Sequence, residues 1–228
     1  MPPPARLLAL DCAGAACSAA VWCDGAVTAA RHEVMARGQS ERLVPMVETV
    51  MAESGLGYEA LDAIAVTCGP GGFTGVRIGL ATARGLALAS GRPLLGFSNF
   101  AVLAAAVPGS ERAGRALAIL IDAKRADLYV EARDAATTVL LEATAVMPED
   151  LDATLPAGPL LLAGDATGPA RAALEAAGRE VAVASSAPHA DAAVLAGLAV
   201  GVEPDGAQVS RPIYLRPPDV SKPKPLRS

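Results

Sequence analysis

The stretch CGPGGFTGVRIGLATARGLALASG, residues 68–91, joins a glycine-rich loop to a helix. The apolar run LDAIAVT comes before it, so the segment predicts a strand, a tight turn and a helix in succession. The free N–H groups at the start of such a helix, with Thr74 as a cap, can take an anion. The candidate nucleotide or anion loop therefore consists of Gly69, Gly71, Gly72 and Thr74; alternatively, the glycines only turn the chain sharply.

Two well-defined phosphate-binding patterns do not match this loop. A Walker-type loop has a lysine directly after its last glycine, and the lysines of this chain, Lys124, Lys222 and Lys224, all lie elsewhere. A dinucleotide-binding fingerprint that began at Gly69 would need a glycine where the chain has Thr74. Only the general anion-binding property of a helix N-terminus is left.

Small residues follow one face of the helix after the loop. Gly75, Gly79, Ala83 and Ala87 are each four positions apart and so form one stripe. A glycine inside a helix costs about 1 kcal/mol relative to alanine, and we expect close packing along the stripe to offset that cost. Either the backbone of another protein or the chain's own sheet can fill the groove, and the spacing leaves both alternatives open.

Outward from this segment, the chain reads as one α/β plan used twice. Residues 6–25 predict two strands joined by a turn, and from Arg115 the same plan returns, with Asp122 in the place of Asp11. We expect an N-terminal domain over 1–108, a C-terminal domain over 109–210 and a basic, proline-rich, solvated tail over 211–228.

Helix ends are also predicted. A helix with Ser40 as its cap and Gly55 as its stop places five apolar residues on one side, namely Leu43, Met46, Val47, Val50 and Met51. Asn99 is the expected cap of the predicted helix FAVLAAAV, which begins directly after it.

The composition limits the classes of function. The formal net charge is -5, which argues against a broad basic face for RNA or DNA. No basic stretch precedes a long apolar run at the N-terminus, and no window is long enough to span a membrane, so a cytoplasmic location is expected. The four cysteines contain no C-x-x-C pair and read as buried thiols rather than metal ligands.

Residues suited to catalysis are few. His32 and His189 are far apart, and neither belongs to a local metal-binding or nucleophile motif, so we predict no catalytic residue and no metal site. Asp11 and Asp122 each end a predicted strand beside a turn. An alternative hypothesis is therefore an ATP-binding, kinase-like enzyme that uses Asp11 and the glycine loop over 69–75.

Five runs, in order along nearly the whole chain, resemble the TsaB (YeaZ) family: LALDCAGAACSAAVWCDG, QSERLVPMVE, GPGGFTGVRIGLATARGLA, IDAKRADLYV and PIYLRPP. The resemblance implies two RNase H-like halves of the actin, Hsp70 and sugar-kinase superfamily, each a mixed sheet with flanking helices. It also implies a non-catalytic dimerisation subunit that supports TsaD in threonylcarbamoyl transfer to the tRNA adenosine beside the anticodon. One departure is Gln39, where the family commonly has histidine before Ser-Glu-Arg.

The resemblance further implies the partners and the surface that meets them. TsaD is the expected heterodimer partner, TsaE joins the larger complex, and tRNA is contacted only indirectly; alone, the chain is either a monomer or a homodimer. The chain needs no cofactor by itself, and whether ATP or ADP binds at the partner interface stays open. The implied interface lies on two helices and consists of Leu43, Met46, Val47, Val50, Gly75, Gly79 and Ala83.

Overall fold

The computed structural model describes residues 4–203 and 210–216. The predicted tail is thus described only as far as Arg216, and its remaining residues, which include Lys222 and Lys224, lie outside the described part.

The first half of the chain forms a five-stranded sheet with three helices. Its strands are β1 (Arg6–Asp11), β2 (Ala16–Cys23), β3 (Ala26–Val34), β4 (Ala63–Thr67) and β5 (Leu94–Phe97). Its helices are α1 (Gln39–Ser54), α2 (Phe73–Ser90) and α3 (Asn99–Ala106), and a 3-10 turn covers Tyr58–Ala60.

The second half forms another sheet of five strands. They are β6 (Ala116–Asp122), β7 (Leu128–Arg133), β8 (Val139–Val146), β9 (Leu160–Ala163) and β10 (Val181–Val183). The helices of this part of the chain are α4 (Gly109–Arg112), α5 (Leu151–Thr154), α6 (Thr167–Ala176) and α7 (Ala192–Ala199), and a 3-10 turn covers Pro148–Asp150.

The two sheets have the same topology. The first runs β3-β2-β1-β4-β5, and the second, read from its other edge, runs β8-β7-β6-β9-β10. In each sheet three antiparallel strands form a meander, and two further strands run parallel to the first strand of that meander. This repetition confirms the predicted duplication, and the fold is the expected one of two halves, each a mixed sheet with flanking helices.

The central strand β1 is buried on both faces. Leu8 and Leu10 face the core that lies under α1 and α2, whereas Leu7 and Ala9 face a second core under α7. Helix α7 therefore packs on the first sheet, although its sequence lies within the range predicted for the C-terminal domain. Burial on both faces explains why RLLALD is almost wholly apolar.

Three of the predicted helix caps differ in the structure. Helix α1 begins at Gln39 with Gly38 in the N-cap position, so Ser40 is not the cap. Helix α2 begins at Phe73 with Gly72 in the N-cap position, which places Thr74 inside the first turn. Ser98 caps α3 by accepting a hydrogen bond from the Ala101 N–H at 3.1 Å, which leaves Asn99 free to donate to the Pro70 carbonyl. The stop at Gly55 is confirmed, with a left-handed φ of 69°.

The last described residues, 210–216, cross from one half to the other, and we name them the C-terminal strap. The Ile213 N–H donates to the Cys68 carbonyl at 2.8 Å, and Arg84 donates to the Ser210 carbonyl at 2.6 Å, so the strap begins on the first half. Leu215 packs on the cluster between α3 and the second sheet, and Arg216 pairs with the buried Asp127. The described residues of the predicted tail thus contact both halves, although Arg211, Tyr214 and Arg216 keep exposed surface.

Candidate functional site

The glycine loop closes onto the turn between β1 and β2. The Gly72 N–H donates to the Ala13 carbonyl at 2.7 Å, and a side chain at position 71 would collide with that same carbonyl oxygen. Glycine is therefore needed at position 71 because the two loops are in direct backbone contact. One of the N–H groups that an anion would need is already used inside the protein.

Asp11, at the end of β1, is sealed beneath these loops. It has no exposed surface, and its Oδ1 accepts hydrogen bonds from the Thr67 hydroxyl and from the Ala13 N–H. Burial raises the pKa of Asp11 to about 6, although these two hydrogen bonds oppose the shift. Its Oδ2 has no hydrogen-bond partner within the described part of the chain. A carboxylate enclosed in this way cannot reach a phosphate or a solvated metal ion without rearrangement of the loops.

Asp122 takes the equivalent place in the second half but lies in different surroundings. It is partly exposed, and it accepts hydrogen bonds from the Lys124 N–H at 2.6 Å and from Lys124 Nζ at 2.8 Å. Asp165 accepts the Asp122 N–H at 2.8 Å and lies 3.8 Å from His189 Nδ1. The two aspartates that the sequence repeat relates thus occupy different environments, one dry and one paired with a cation.

The residues expected at the partner interface face the interior of the chain. Leu43, Met46, Val47 and Val50 have at most 1% of their surface exposed and belong to the core between α1, α2 and the first sheet. Gly79 and Ala83 are buried in the same place. A side chain at Gly75 would collide with the Cys12 carbonyl oxygen.

This burial corrects the expectation that a foreign backbone fills the stripe of small residues. The groove left by Gly75 and Gly79 is filled by Cys12 and Val66 of the chain itself. The periodicity correctly predicted an apolar face for each helix. It did not reveal which partner covers that face, because a helix buries its apolar stripe in the same way against a sheet or another subunit.

The outer faces of the same two helices form an apolar groove that sequence reasoning missed. This α1–α2 groove has a volume of about 470 Å³ and is lined mainly by Val44, Val47, Tyr58, Leu86 and Ala89. Val44, which lines the groove on α1, is 47% exposed, and Leu88, on α2 but outside the lining of the groove, is 87% exposed. Val44 and Leu88 lie at positions where the helical pattern predicts polar residues, and this mismatch was the available signal.

A second cavity, of about 390 Å³, lies between the two halves, and we name it the interdomain cleft. The glycine loop, the turn after β6 and the C-terminal strap line it, and its side chains include Phe73, Lys124, Arg125 and Tyr214. Within the candidate anion loop, Gly71 and Gly72 reach the cleft, whereas Gly69 and Thr74 are not among its lining residues.

Residues 4–203 and 210–216 contain neither a candidate metal-binding cluster nor a helix that could span a membrane. In those ranges no group of three or more His, Cys, Asp or Glu side chains is arranged to hold a metal ion. The helices in the same ranges are too short or too polar to cross a membrane.

Comparison with known proteins finds relatives whose names refer to tRNA modification. The family model described as TsaD, tRNA N6-adenosine threonylcarbamoyltransferase, matches residues 30–202. The tRNA threonylcarbamoyladenosine biosynthesis protein TsaB of Escherichia coli is 41% identical over 124 residues, which are 54% of this chain and 53% of that protein. The chain therefore matches about half the length of such curated relatives.

Two more relatives extend the comparison. The solved structure of YeaZ from Pseudomonas aeruginosa is 30% identical, with a TM-score of 0.72, and the match covers 92% of this chain and 100% of that one. The tRNA N6-adenosine threonylcarbamoyltransferase of Erythrobacter litoralis is 49% identical over 67 residues, which are 29% of this chain and 20% of that protein.

Proposed function

This chain belongs to the TsaB (YeaZ) family, and we propose that it is the non-catalytic dimerisation subunit of the complex that makes threonylcarbamoyladenosine in tRNA. In this role it binds TsaD and supports a conformation of TsaD that transfers the threonylcarbamoyl group to the adenosine beside the anticodon. TsaE joins the larger complex, and without TsaD the same surface pairs with a second copy of the chain.

The α1–α2 groove is the observation that carries this proposal. An apolar groove that leaves 47% of Val44 exposed costs solubility, and exposed apolar patches on soluble proteins typically mark sites of protein association. Glu48 and Glu59 lie at the groove, which gives it a polar edge like that of known interfaces. The partner thus contacts the outer faces of α1 and α2 and leaves the buried stripe untouched.

Similarity to a transferase supports TsaD as the partner. The chain matches the TsaD family model over residues 30–202, a range that includes both α1 and α2. Related subunits often associate through equivalent surfaces about an approximate twofold axis, and such contacts are self-complementary. A groove on this chain that pairs with the corresponding helices of TsaD fits that rule.

The geometry around Asp11 supports a non-catalytic role. Its carboxylate is fully buried, and the Gly72 N–H of the adjacent glycine loop already donates a hydrogen bond to the Ala13 carbonyl. A kinase-like site would need both groups to face the substrate. We therefore favour the subunit over the kinase-like alternative, and we assign ATP or ADP to the contact with TsaD rather than to the chain alone.

Substitution of Val44 by glutamate tests the proposed contact. Val44 lines the groove and is 47% exposed in the single chain, so Val44→Glu should leave the fold intact but place a charge in a desolvated interface. We expect at least a tenfold loss of affinity for TsaD, measured by size-exclusion chromatography and titration calorimetry, since an unpaired buried charge costs more than about 1.4 kcal/mol.

Leu140→Glu is the matched control, because Leu140 is an exposed leucine (52%) on β8 of the other half. It should leave association unchanged. Equal affinity for TsaD in the wild type and Val44→Glu would refute the α1–α2 groove as the interface.

Reconstitution tests the division of labour. Threonylcarbamoyl transfer to tRNA is measured with TsaD, TsaE and a threonylcarbamoyl-adenylate source, in the presence or absence of this chain. We expect transfer only when both this chain and TsaD are present, and a reduced rate with Val44→Glu. Transfer by this chain without TsaD would show that it is an enzyme and would refute the proposal.

A further inference from the structure

Two cysteine side chains meet in the core below the turn between β1 and β2. Cys12 directly follows the last residue of β1, and Cys17 lies in β2. The last cross-strand pair of this hairpin joins Asp11 to Ser18. The two cysteines are each one position closer to the turn and therefore face each other. Their Sγ atoms are 3.7 Å apart, and both residues are buried, so two free thiols are in direct contact inside the protein.

The backbone around the two thiols is close to the geometry of a disulfide. Residues directly opposite in an antiparallel pair have Cβ atoms about 4.5–5.5 Å apart, and a disulfide needs about 3.5–4.5 Å. The sulfur atoms must approach from 3.7 Å to the roughly 2 Å of a bond, which requires side-chain rotation and a small movement of the turn. Gly14 and Ala15, in the turn between the cysteines, are only half-buried, so this turn has room to adjust.

The contact also makes the two sulfurs chemically different. A hydrogen bond from the Cys12 thiol lowers the pKa of Cys17, although burial opposes this shift. The same hydrogen bond and burial both raise the pKa of Cys12. The thiolate is the reactive form of cysteine. Cys17 is therefore the sulfur that an oxidant attacks first, and Cys12 stays protonated beside it as the thiol that can resolve the oxidised product.

The other two cysteines lack such a neighbour. Cys23 Sγ donates to Asp24 Oδ2 at 3.4 Å, and Cys68 Sγ donates to the Val66 carbonyl at 3.9 Å. A metal ion is a poor occupant for the cysteine pair, because no third His, Cys, Asp or Glu ligand joins it among residues 4–203 and 210–216. Oxidation of the pair is the chemistry that its geometry favours.

We propose that Cys12 and Cys17 form a reversible redox site, in which hydrogen peroxide converts the two thiols into a disulfide. The Cys17 thiolate attacks one peroxide oxygen and becomes a sulfenic acid, and the other oxygen takes up a proton and leaves as water. Cys12 then attacks the Cys17 sulfur, the S–S bond forms, and the sulfenic hydroxyl leaves with the Cys12 proton as a second water. The two sulfurs lose two electrons in total, which the peroxide gains. A dithiol reductant reverses the reaction by thiol–disulfide exchange.

The disulfide would act on the turn that supports the glycine loop and α2. The Ala13 carbonyl, next to Cys12, accepts the Gly72 N–H at 2.7 Å. The Cys12 carbonyl lies where a side chain at Gly75 of α2 would collide with it. A bond between Cys12 and Cys17 therefore ties β1 to β2 directly beneath these contacts. In a reducing compartment such a bond forms only transiently, as is usual for redox-sensing cysteines.

Peroxide treatment of the full, folded chain tests the proposal. The peroxide is removed with catalase, the protein is unfolded and alkylated, and the products are measured by mass spectrometry. We expect loss of two of the four free thiols. The tryptic peptide over 7–31, which contains three of the cysteines, should be lighter by two hydrogens and carry its alkyl group on Cys23. Dithiothreitol should restore all four thiols.

Two variants complete the design. Cys23→Ser is the matched control, because Cys23 has no sulfur partner in the described part of the chain, and it should form the bridge as the wild type does. Cys17→Ser should form no disulfide, and the map of the wild type decides the question even if this variant folds poorly. Four free thiols after treatment that oxidises glutathione under the same conditions would overturn the proposal. A disulfide to Cys23 or Cys68, or sulfinic acid in place of the bridge, would overturn it as well.

Discussion

Asp11 shows what a single buried carboxyl group does to the protein. It is fully enclosed, and only one of its two oxygens has hydrogen-bond partners in the described part of the chain. Loss of hydration therefore dominates over the hydrogen bonds from Thr67 and Ala13, and its pKa rises to about 6. Of the features of Asp11, its place at the end of a strand was predictable. Its enclosure was not, because that depends on Gly71 and Gly72 from a loop about 60 residues away in the sequence.

We expect this carboxyl group to make the protein less stable as the pH rises from about 4 to about 6. In the unfolded chain the group ionises near its ordinary pKa of 3.8, whereas in the folded protein it keeps its proton until about 6. The proton-bound group thus contributes stability below pH 4, and that contribution is lost as the pH passes through the folded pKa. About two pKa units correspond to roughly 3 kcal/mol.

Asp11→Asn removes this dependence while it keeps an oxygen that can accept the Thr67 and Ala13 hydrogen bonds. The variant should gain about 1–3 kcal/mol of unfolding free energy relative to wild type between pH 4 and pH 7, measured by urea denaturation at both values. Glu149→Gln, a neutral substitution at an exposed site, should stay within about 0.5 kcal/mol of wild type at both. An unchanged difference between Asp11→Asn and wild type across this range would contradict the assignment.

At the scale of the element, helix α2 shows that its glycines serve different purposes. A methyl group added at Gly75 would collide with the Cys12 carbonyl oxygen. One added at Gly79 would lie at ordinary van der Waals distance from Val66 and Cys12, and one added at Gly85 would meet open space. The sequence predicted that close packing accounts for glycine in this helix. That explanation holds at Gly75, where the neighbour is the chain's own backbone, and it fails at Gly85, where nothing packs.

Alanine substitutions separate these roles. Gly75→Ala should lower the unfolding free energy by about 1–3 kcal/mol, because the new methyl group meets backbone that cannot easily move. Gly85→Ala should raise it by about 0.5–1 kcal/mol through better helix propensity and a less flexible unfolded chain. Chemical denaturation measures both, and a Gly75→Ala protein as stable as wild type would show that α2 does not pack as described.

The elements themselves were largely predictable, but the choice of covered face was not. The helical spacing of Leu43, Met46, Val47 and Val50 gave α1 and its apolar side, and the glycine loop gave the strand–turn–helix around α2. Both apolar sides face the first sheet. The flanks of these sides form the α1–α2 groove, which Val47 shares with the core. Neither composition nor period distinguishes a face that packs on a sheet from one that awaits a partner.

At the scale of the whole molecule, the C-terminal strap ties the two halves together. Its two ends bond to different halves, through Ile213 on Cys68 and through Arg216 on Asp127. Asp127 has only 2% of its side chain exposed, and Arg216 is the cation paired with it. A proline-rich, basic sequence predicted a solvated tail, since no pattern in it indicated that Asp127 would be buried nearby.

Arg216→Gln should therefore destabilise the protein by about 2–4 kcal/mol, because it leaves a buried carboxylate without its counter-charge. A second substitution, Asp127→Asn, should restore most of that loss, whereas Arg171→Gln at an exposed ion pair should cost less than about 1 kcal/mol. Urea denaturation of the single and double variants measures this. A fully additive effect of Arg216→Gln and Asp127→Asn would mean that the two side chains are not coupled.

The position of α7 has a consequence for synthesis on the ribosome. Leu7 and Ala9 of β1 are covered by residues of α7, namely Ala192, Leu195, Ala196 and Ala199. The first strand to be translated therefore gains this cover only after the last described helix has been made. Until that helix leaves the exit tunnel, one face of the nascent N-terminal sheet lacks much of its apolar cover. The first half of this protein thus completes its folding after translation of the second half, and chaperones have that interval in which to hold it.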